Sequence, residues 1–135
     1  MGKKILNLKK KILKINPYLD IFYSHYIPVN IDKFKGKEIL AIAGIGNPEN
    51  FFQLIENNGL IIKKKLVYPD HYIFSKKEIE NILKIAKEKN YQILMTEKDY
   101  YKIRRFNLSE FQYLKLSVEV EKKEELIRKI KDIYD

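Results

Sequence analysis

Three short strand-like segments alternate with amphipathic stretches through the middle of the chain. They are the continuous apolar run EILAIA at residues 38–43, LIIKKKLVY at residues 60–68, whose three lysines favour a place nearer an edge of the sheet, and YQILMT at residues 91–96. Between them, apolar residues recur at helical spacing in NPENFFQLIENNG and SKKEIENILKIAKEK. Strands and helices that alternate over short connections form parallel sheets with right-handed crossovers. The sequence therefore predicts a three-layer α/β/α sandwich with a mostly parallel, Rossmann-like sheet of about four to five strands.

The helix boundaries carry clear local signals. Asn47 precedes Pro48, which is the typical order of an N-cap and a first helical residue. Gly59 suits the position after the end of that helix. Ser75 and Glu78 have the spacing of a capping box and predict the start of the next helix.

The two ends of the chain are less clearly patterned. Leu114, Leu116 and Val118 alternate and predict a fourth strand, and a final helix is expected to turn inward its apolar residues Leu126, Ile127 and Ile130. Residues 1–15 predict a lysine-rich amphipathic helix, which either docks on the protein or lies on an anionic membrane surface. We expect residues 1–36 to form this helix and an extended linker or edge strand, and residues 37–135 to form the α/β/α domain.

Composition excludes several classes of site. The 135 residues include no cysteine, which excludes disulfides and thiolate-bound metals, and two histidines far apart argue against a histidine zinc site. We therefore expect no metal site. No apolar run approaches the ~20 residues of a membrane span. The net charge of +9 is consistent with an anionic partner or with a solvated lysine-rich surface.

Three polar motifs follow the three predicted strands: GIGNPE at 44–49, PDHY at 69–72 and TEKD at 96–99. The carboxyl ends of parallel strands lie at one edge of the sheet, so we expect these three motifs to share that edge. Ligands of open parallel sheets bind at this edge. Gly44 and Gly46 resemble the start of a dinucleotide fingerprint, but Glu49 replaces its third glycine. We interpret this motif, with Asn47, as a turn that shapes a neighbouring site.

The other two motifs contain the candidate reactive groups. In PDHY, Asp70 can orient the imidazole of His71 for proton transfer. The alternative is that Asp70 caps the turn and His71 bonds a backbone carbonyl. In TEKD, Thr96 and Asp99 can cap a short helix, and Lys98 can reach a phosphate or pair with Asp70 or Asp99. His25, among strand aromatics, is expected to be structural.

Together the motifs AIAGIGNPENFF, YPDHYIFSKKEI and LMTEKDYYKI resemble the carboxyl-terminal half of tetraacyldisaccharide 4′-kinase, the lipid A kinase of Gram-negative bacteria. The preceding IFYSHYIPVNIDKFKGKEI fits as well, so the resemblance covers roughly residues 15–135. It implies transfer of the γ-phosphate of ATP, with Mg²⁺, to the 4′-hydroxyl of a lipid A disaccharide precursor. It also implies a preceding P-loop domain and a location in the cytoplasm, peripheral on the inner membrane.

Carried onto this sequence, the family histidine is His71, with Asp70 beside it, and it supports an aspartate of the other domain. Gly44, Gly46, Asn47, Lys98 and Asp99 are the candidate cleft-shaping or substrate-binding residues.

The sequence departs from the family pattern in two ways. Tyr72 stands where many members have a second histidine, and the chain has no GxxxxGK[ST] loop to bind ATP. We therefore expect negligible ATPase or kinase activity from this chain alone. The alternative is a stand-alone basic α/β module that binds nucleic acid or a phosphorylated ligand, although no nucleic-acid-binding motif supports it. A third possibility is a fragment with no remaining activity.

Overall fold

The structure is a computed structural model that describes residues 3–134. The chain divides into two compact units. The first contains the described residues up to Ile27 and from Val118 onward, and the second contains Pro28–Ser117. The sequence-based boundary at residue 36 therefore differs from the boundaries of the compact units, and the assignment of domains stays a prediction.

The second unit contains a four-stranded parallel sheet. Its strands are β2 (Glu38–Ala43), β3 (Ile61–Val67), β4 (Gln92–Thr96) and β5 (Phe111–Leu114), in the order β3-β2-β4-β5. Its helices are α2 (Pro48–Asn57), α3 (Lys76–Lys89) and α4 (Glu97–Ile103). A parallel sheet flanked by helices confirms the predicted fold class.

Alternate residues of β2 point to opposite faces of this sheet, as strand geometry requires. One face packs on α2 through the buried residues Ile39, Ala41, Ala43, Phe51, Phe52 and Ile55. The other face packs on α3 and α4 through the buried residues Leu40, Ile42, Ile79, Ile82, Ala86 and Ile103. A strand covered on both faces explains why the sequence of β2 is continuously apolar.

The local helix signals are confirmed. The side chain of Asn47 caps α2, with Pro48 as the first residue of the helix. Gly59 has φ +79°, the left-handed conformation that favours glycine after a helix. Ser75 and Glu78 form both hydrogen bonds of a capping box at the start of α3. These starts fix where the loops after β2 and β3 end.

The predicted fourth strand is wrong in its extent. Leu114 ends β5 of the parallel sheet, whereas Leu116 and Val118 belong to β6 (Leu116–Val120), which pairs with β1 (Ser24–Pro28) in a separate two-stranded sheet. Alternation reports which side chains share a face, and it does not report which neighbour a strand pairs with. One alternating run therefore supplies strands to two sheets.

The first unit contains α1 (Lys3–Ile15), α5 (Lys123–Tyr134) and most of the β1–β6 pair. Neither helix has a buried residue. The expectation that Leu126, Ile127 and Ile130 point inward is therefore wrong: Leu126 is half-buried, and the two isoleucines are exposed. Whether α1 docks on the protein or lies on an anionic membrane surface stays a prediction. Among residues 3–134, no helix is long and apolar enough to cross a membrane.

Candidate functional site

Gly44 is the point where the three sequence motifs meet. It follows β2, and its N–H donates to Oδ2 of Asp99 at 2.7 Å. A Cβ atom on Gly44 would lie 3.0 Å from Oδ1 of Asp99 and 3.4 Å from the carbonyl oxygen of Pro69. The expected convergence of GIGNPE, PDHY and TEKD at one edge of the sheet is therefore what the structure has. Glycine at residue 44 permits this close approach of three loops.

The meeting point coincides with the reversal of strand order. The chain passes from β2 to β3 on one side and then returns to β4 on the other side of β2. In open α/β sheets this reversal opens a crevice at the carboxyl ends of the two central strands, where ligands bind. Here Gly44 follows one of these strands, and Asp99 lies in the first turn of α4 after the other.

Asp99 is the buried centre of this edge. Its side chain is 0% exposed and accepts hydrogen bonds from the Thr96 hydroxyl and from Lys102 Nζ, each at 2.7 Å. Lys102 Nζ also lies 3.4 Å from the carbonyl oxygen of Gly44. The carboxylate therefore ties β2 to α4, which is a positioning role.

Sequence reasoning included Asp99 but missed Lys102. The spacing of three residues on a helix was the available signal for this pair.

His71 stands at the tip of the PDHY turn with its imidazole in solvent. Its side chain is 81% exposed, and its backbone has φ +61°, which is unusual for a residue with a side chain. The Tyr72 N–H donates to the Pro69 carbonyl at 3.2 Å, and the His71 N–H donates to Asp70 Oδ1 at 2.9 Å. The turn thus directs the imidazole away from the body of the second unit.

Asp70 connects this turn to the TEKD motif. Lys98 Nζ donates to Asp70 Oδ1 at 2.8 Å, so Lys98 pairs with Asp70 and not with Asp99. This hydrogen bond is the main reason that the pKa of Asp70 lies below its usual range; the His71 N–H contributes in the same direction. The other carboxylate oxygen, Oδ2, lies 3.7 Å from His71 Nε2. Asp70 is therefore a carboxylate at neutral pH, placed beside the imidazole.

Tyr72 fixes the other side of the turn. Its hydroxyl donates a hydrogen bond to Glu78 Oε1, which raises the pKa of Tyr72 and lowers that of Glu78. Its ring packs 4.7 Å from the ring of Tyr68 and 5.3 Å from that of Phe74, measured between centroids. The capping box of α3 is thereby linked to the residue next to His71, a connection that sequence reasoning missed.

The remaining predicted residues lie apart from these contacts. Asn47 Oδ1 accepts from the Asn50 N–H at 3.4 Å as the cap of α2, and a Cβ on Gly46 would have nothing within 4 Å. A substrate-binding role for these two residues stays a prediction. His25 belongs to the first unit, where Nε2 lies 3.0 Å from Glu119. Residues 3–134 contain no group of three or more histidine or acidic side chains that could hold a metal ion.

A half-open cavity lies at the opposite edge of the sheet. Its volume is about 440 Å³, and Glu38 and Gln92, the first residues of β2 and β4, line it. This cavity is at the amino ends of the strands, so it is not the crevice where the sequence motifs converge.

Comparison with known proteins assigns the chain to a family. The family model described as "Tetraacyldisaccharide-1-P 4'-kinase" matches residues 8–135. A tetraacyldisaccharide 4′-kinase from Pelagibacter ubique is 39% identical over 129 residues, which is 95% of this chain and 41% of the relative. Kinases of the same name from Rickettsia felis and Rickettsia peacockii are 38% and 40% identical over 69% and 72% of the chain. The chain spans about two fifths or less of the length of these relatives.

A solved structure has the same fold. A crystal structure of LpxK from Aquifex aeolicus, in complex with ATP, aligns with 91% of this chain at a TM-score of 0.58 and 22% sequence identity. The aligned part is 41% of that protein. At this identity the likeness supports the fold, and the sequence relatives support the family.

Proposed function

The chain belongs to the tetraacyldisaccharide-1-P 4′-kinase family, and on that premise we propose that it supplies the acceptor-side half of a lipid A 4′-kinase. In this proposal, ATP donates its γ-phosphate to the 4′-hydroxyl of the lipid A disaccharide precursor. The observation that carries the proposal is the contact of Gly44 with both Pro69 and Asp99, because it brings the three motifs together at the edge of the sheet whose PDHY turn carries His71.

We assign His71 to proton transfer at the acceptor hydroxyl. The exposed imidazole can accept the hydroxyl proton directly, or it can support an aspartate of another domain that does so. The carboxylate of Asp70 can hold the imidazole in one tautomer and stabilise its charged form. The separation of 3.7 Å between them exceeds a hydrogen bond, as is common in enzymes without bound substrate.

ATP and Mg²⁺ do not fit the residues described here. The sequence has no P-loop, and residues 3–134 have no cluster of carboxylates for the metal. In this proposal, therefore, a P-loop domain binds both, either in the same polypeptide or in a separate chain. Phosphoryl transfer depends on positioning and charge neutralisation of the phosphates. We therefore expect this chain alone to have negligible kinase activity.

The exposed apolar residues of the first unit support the proposal that another domain covers this surface. Ile5, Leu8 and Ile15 of α1 are exposed, and so are Ile127, Ile130 and Ile133 of α5. Amphipathic helices normally bury such a face. We propose that the P-loop domain covers part of this surface and that the complete enzyme works peripherally on the cytoplasmic face of the inner membrane. Failure of the complete protein to float with anionic vesicles would contradict the membrane part.

A chimera tests the proposed activity. The 129 matched residues of the Pelagibacter ubique relative are replaced by the corresponding residues of this chain, and phosphate transfer from labelled ATP to the tetraacyldisaccharide 1-phosphate is measured. We expect turnover by the chimera and none by this chain alone. A folded chimera without turnover would contradict the proposal. The alternative, a nucleic-acid-binding module, predicts a salt-dependent complex of this chain with generic DNA or RNA that saturates at micromolar protein.

A further inference from the structure

The surface that carries Lys98 continues along α4 to an exposed aromatic side chain. Tyr101 lies three residues after Lys98, so the two side chains are neighbours on the same face of the helix. Lys98 in turn bonds Asp70, the residue beside His71. Tyr101 is 54% exposed. An exposed tyrosine therefore lies one helical turn from the lysine that bonds Asp70.

The rings of Tyr100 and Tyr113 pack near the ring of Tyr101. The ring centroids of Tyr100 and Tyr113 are 4.7 Å apart with an interplanar angle of 37°. The Tyr101 ring lies 6.3 Å from Tyr113 and 6.0 Å from Tyr100. These separations lie within the range of attractive aromatic pairs. Burial, followed by the neighbouring Tyr101, raises the pKa of Tyr113. The three rings form one packed group, which we call the tyrosine platform.

The backbone of Tyr113 is fixed by hydrogen bonds of the sheet and of Asn30. Tyr113 is paired with Met95 in the parallel ladder between β4 and β5. The side chain of Asn30 brackets the end of this strand, since it donates to the Tyr113 carbonyl at 3.0 Å and accepts from the Lys115 N–H at 2.9 Å. A ring that is fixed before binding loses little conformational entropy when a ligand stacks on it.

We propose that the tyrosine platform is a subsite that stacks one sugar ring of the disaccharide acceptor against Tyr101, and this inference rests on the proposed function. The flat face of a pyranose carries C–H groups that pack on an aromatic ring, while its edge carries hydroxyl groups that need polar partners. Tyrosine combines an apolar ring with a polar tip. Charged donors for the sugar hydroxyls come from Lys98, one helical turn before Tyr101, and from Arg104, whose guanidinium lies over the Tyr101 ring with Cζ 5.9 Å from the centroid. A sugar bound here would lie next to the residues that position His71.

Nuclear magnetic resonance with a soluble probe tests the subsite. The probe is the β-1,6-linked glucosamine disaccharide 1-phosphate without acyl chains, titrated into this chain. We expect shifts of the Lys98 and Tyr101 amide signals. Tyr101→Ala should weaken binding at least fivefold, and Tyr101→Phe, which keeps the ring, should restore it to within twofold. Tyr18→Ala is the matched control, because Tyr18 is a 91% exposed tyrosine of the first unit.

The outcomes separate this inference from the proposed function. Shifts confined to the PDHY turn, with equal affinity in Tyr101→Ala, would overturn the subsite and leave the acceptor role of His71 intact. No shift at Tyr101 up to the solubility limit of the disaccharide would also overturn the subsite. Shifts at Lys98 and Tyr101, with an affinity that Tyr101→Ala weakens at least fivefold, would support the subsite even if the chimera transferred no phosphate.

Discussion

Replacement of Asp99 by alanine should loosen the whole candidate site. The carboxylate is fully buried and accepts hydrogen bonds from Gly44, Thr96 and Lys102, each at 2.7 Å. Alanine removes all three acceptor contacts at once. The Gly44 N–H then lacks its partner in the interior, and Lys102, whose side chain is only 22% exposed, loses its counter-ion.

The expected cost is a large part of the stability of a domain this size. Breaking one side of a buried ion pair costs about 3–5 kcal/mol, and a buried unpaired N–H costs about 1–3 kcal/mol. These contributions overlap, and Lys102 can turn toward solvent, so we expect about 3 kcal/mol for Asp99→Ala. With a urea dependence of about 2 kcal/mol per molar, the unfolding midpoint should fall by about 1.5 M.

Urea unfolding followed by circular dichroism measures this shift, and hydrogen exchange of the Gly44 amide reports the local opening. The control is Lys84→Ala, which removes an exposed ion pair to Glu88 at 3.9 Å. Such pairs contribute about 0.5 kcal/mol or less. If Asp99→Ala lowered the midpoint no more than Lys84→Ala does, the buried carboxylate would not hold the two motifs together.

Three further predictions concern single contacts of the same edge. Gly44→Ala should cost about 1–3 kcal/mol of unfolding free energy because the added Cβ meets crowded atoms. In Gly46→Ala, the control, the added Cβ meets open space. Equal urea midpoints of these two variants would contradict the close approach at Gly44. Ser75→Ala removes the cap of α3 and should cost about 1 kcal/mol, measured by thermal unfolding; an unchanged midpoint would show that the cap contributes nothing. Because Lys98 lowers the pKa of Asp70, the pair stabilises the fold above the usual carboxyl range and loses this effect as the pH falls below about 4. Lys98→Met should therefore lose less unfolding free energy on acidification than the unchanged chain does. Parallel curves of unfolding free energy against pH for the two proteins would refute the coupling.

The sequence predicts those features that depend on neighbouring residues. The capping box at Ser75 and Glu78 and the N-cap at Asn47 are local hydrogen-bond patterns, and they are confirmed. The continuous apolar run of β2 indicates a strand covered on both faces, which the structure also has. These elements sufficed to place the three motifs at one edge.

Features that depend on the pairing of separate elements could not be predicted from the sequence. The split of one alternating run into β5 and β6 depends on which strands pair, and Lys115 between them carries no signal of the break. The bond from the Gly44 N–H to Asp99 joins residues that are 55 positions apart in the chain, so no local spacing predicts it. The bond from Tyr72 to Glu78 joins a turn to a helix cap and has no periodicity to reveal it.

The role of His71 in phosphate transfer is the central claim. Turnover of the Pelagibacter chimera, with His71 or His25 replaced by alanine one at a time, tests it most directly. His71→Ala should lower kcat at least tenfold, because loss of a positioned acid–base group costs about 10²–10⁴-fold. Its unfolding midpoint should stay unchanged, since the His71 side chain is 81% exposed. His25→Ala, in the first unit, is the matched control and should keep full turnover. Equal kcat values for the two variants would contradict the assignment of His71.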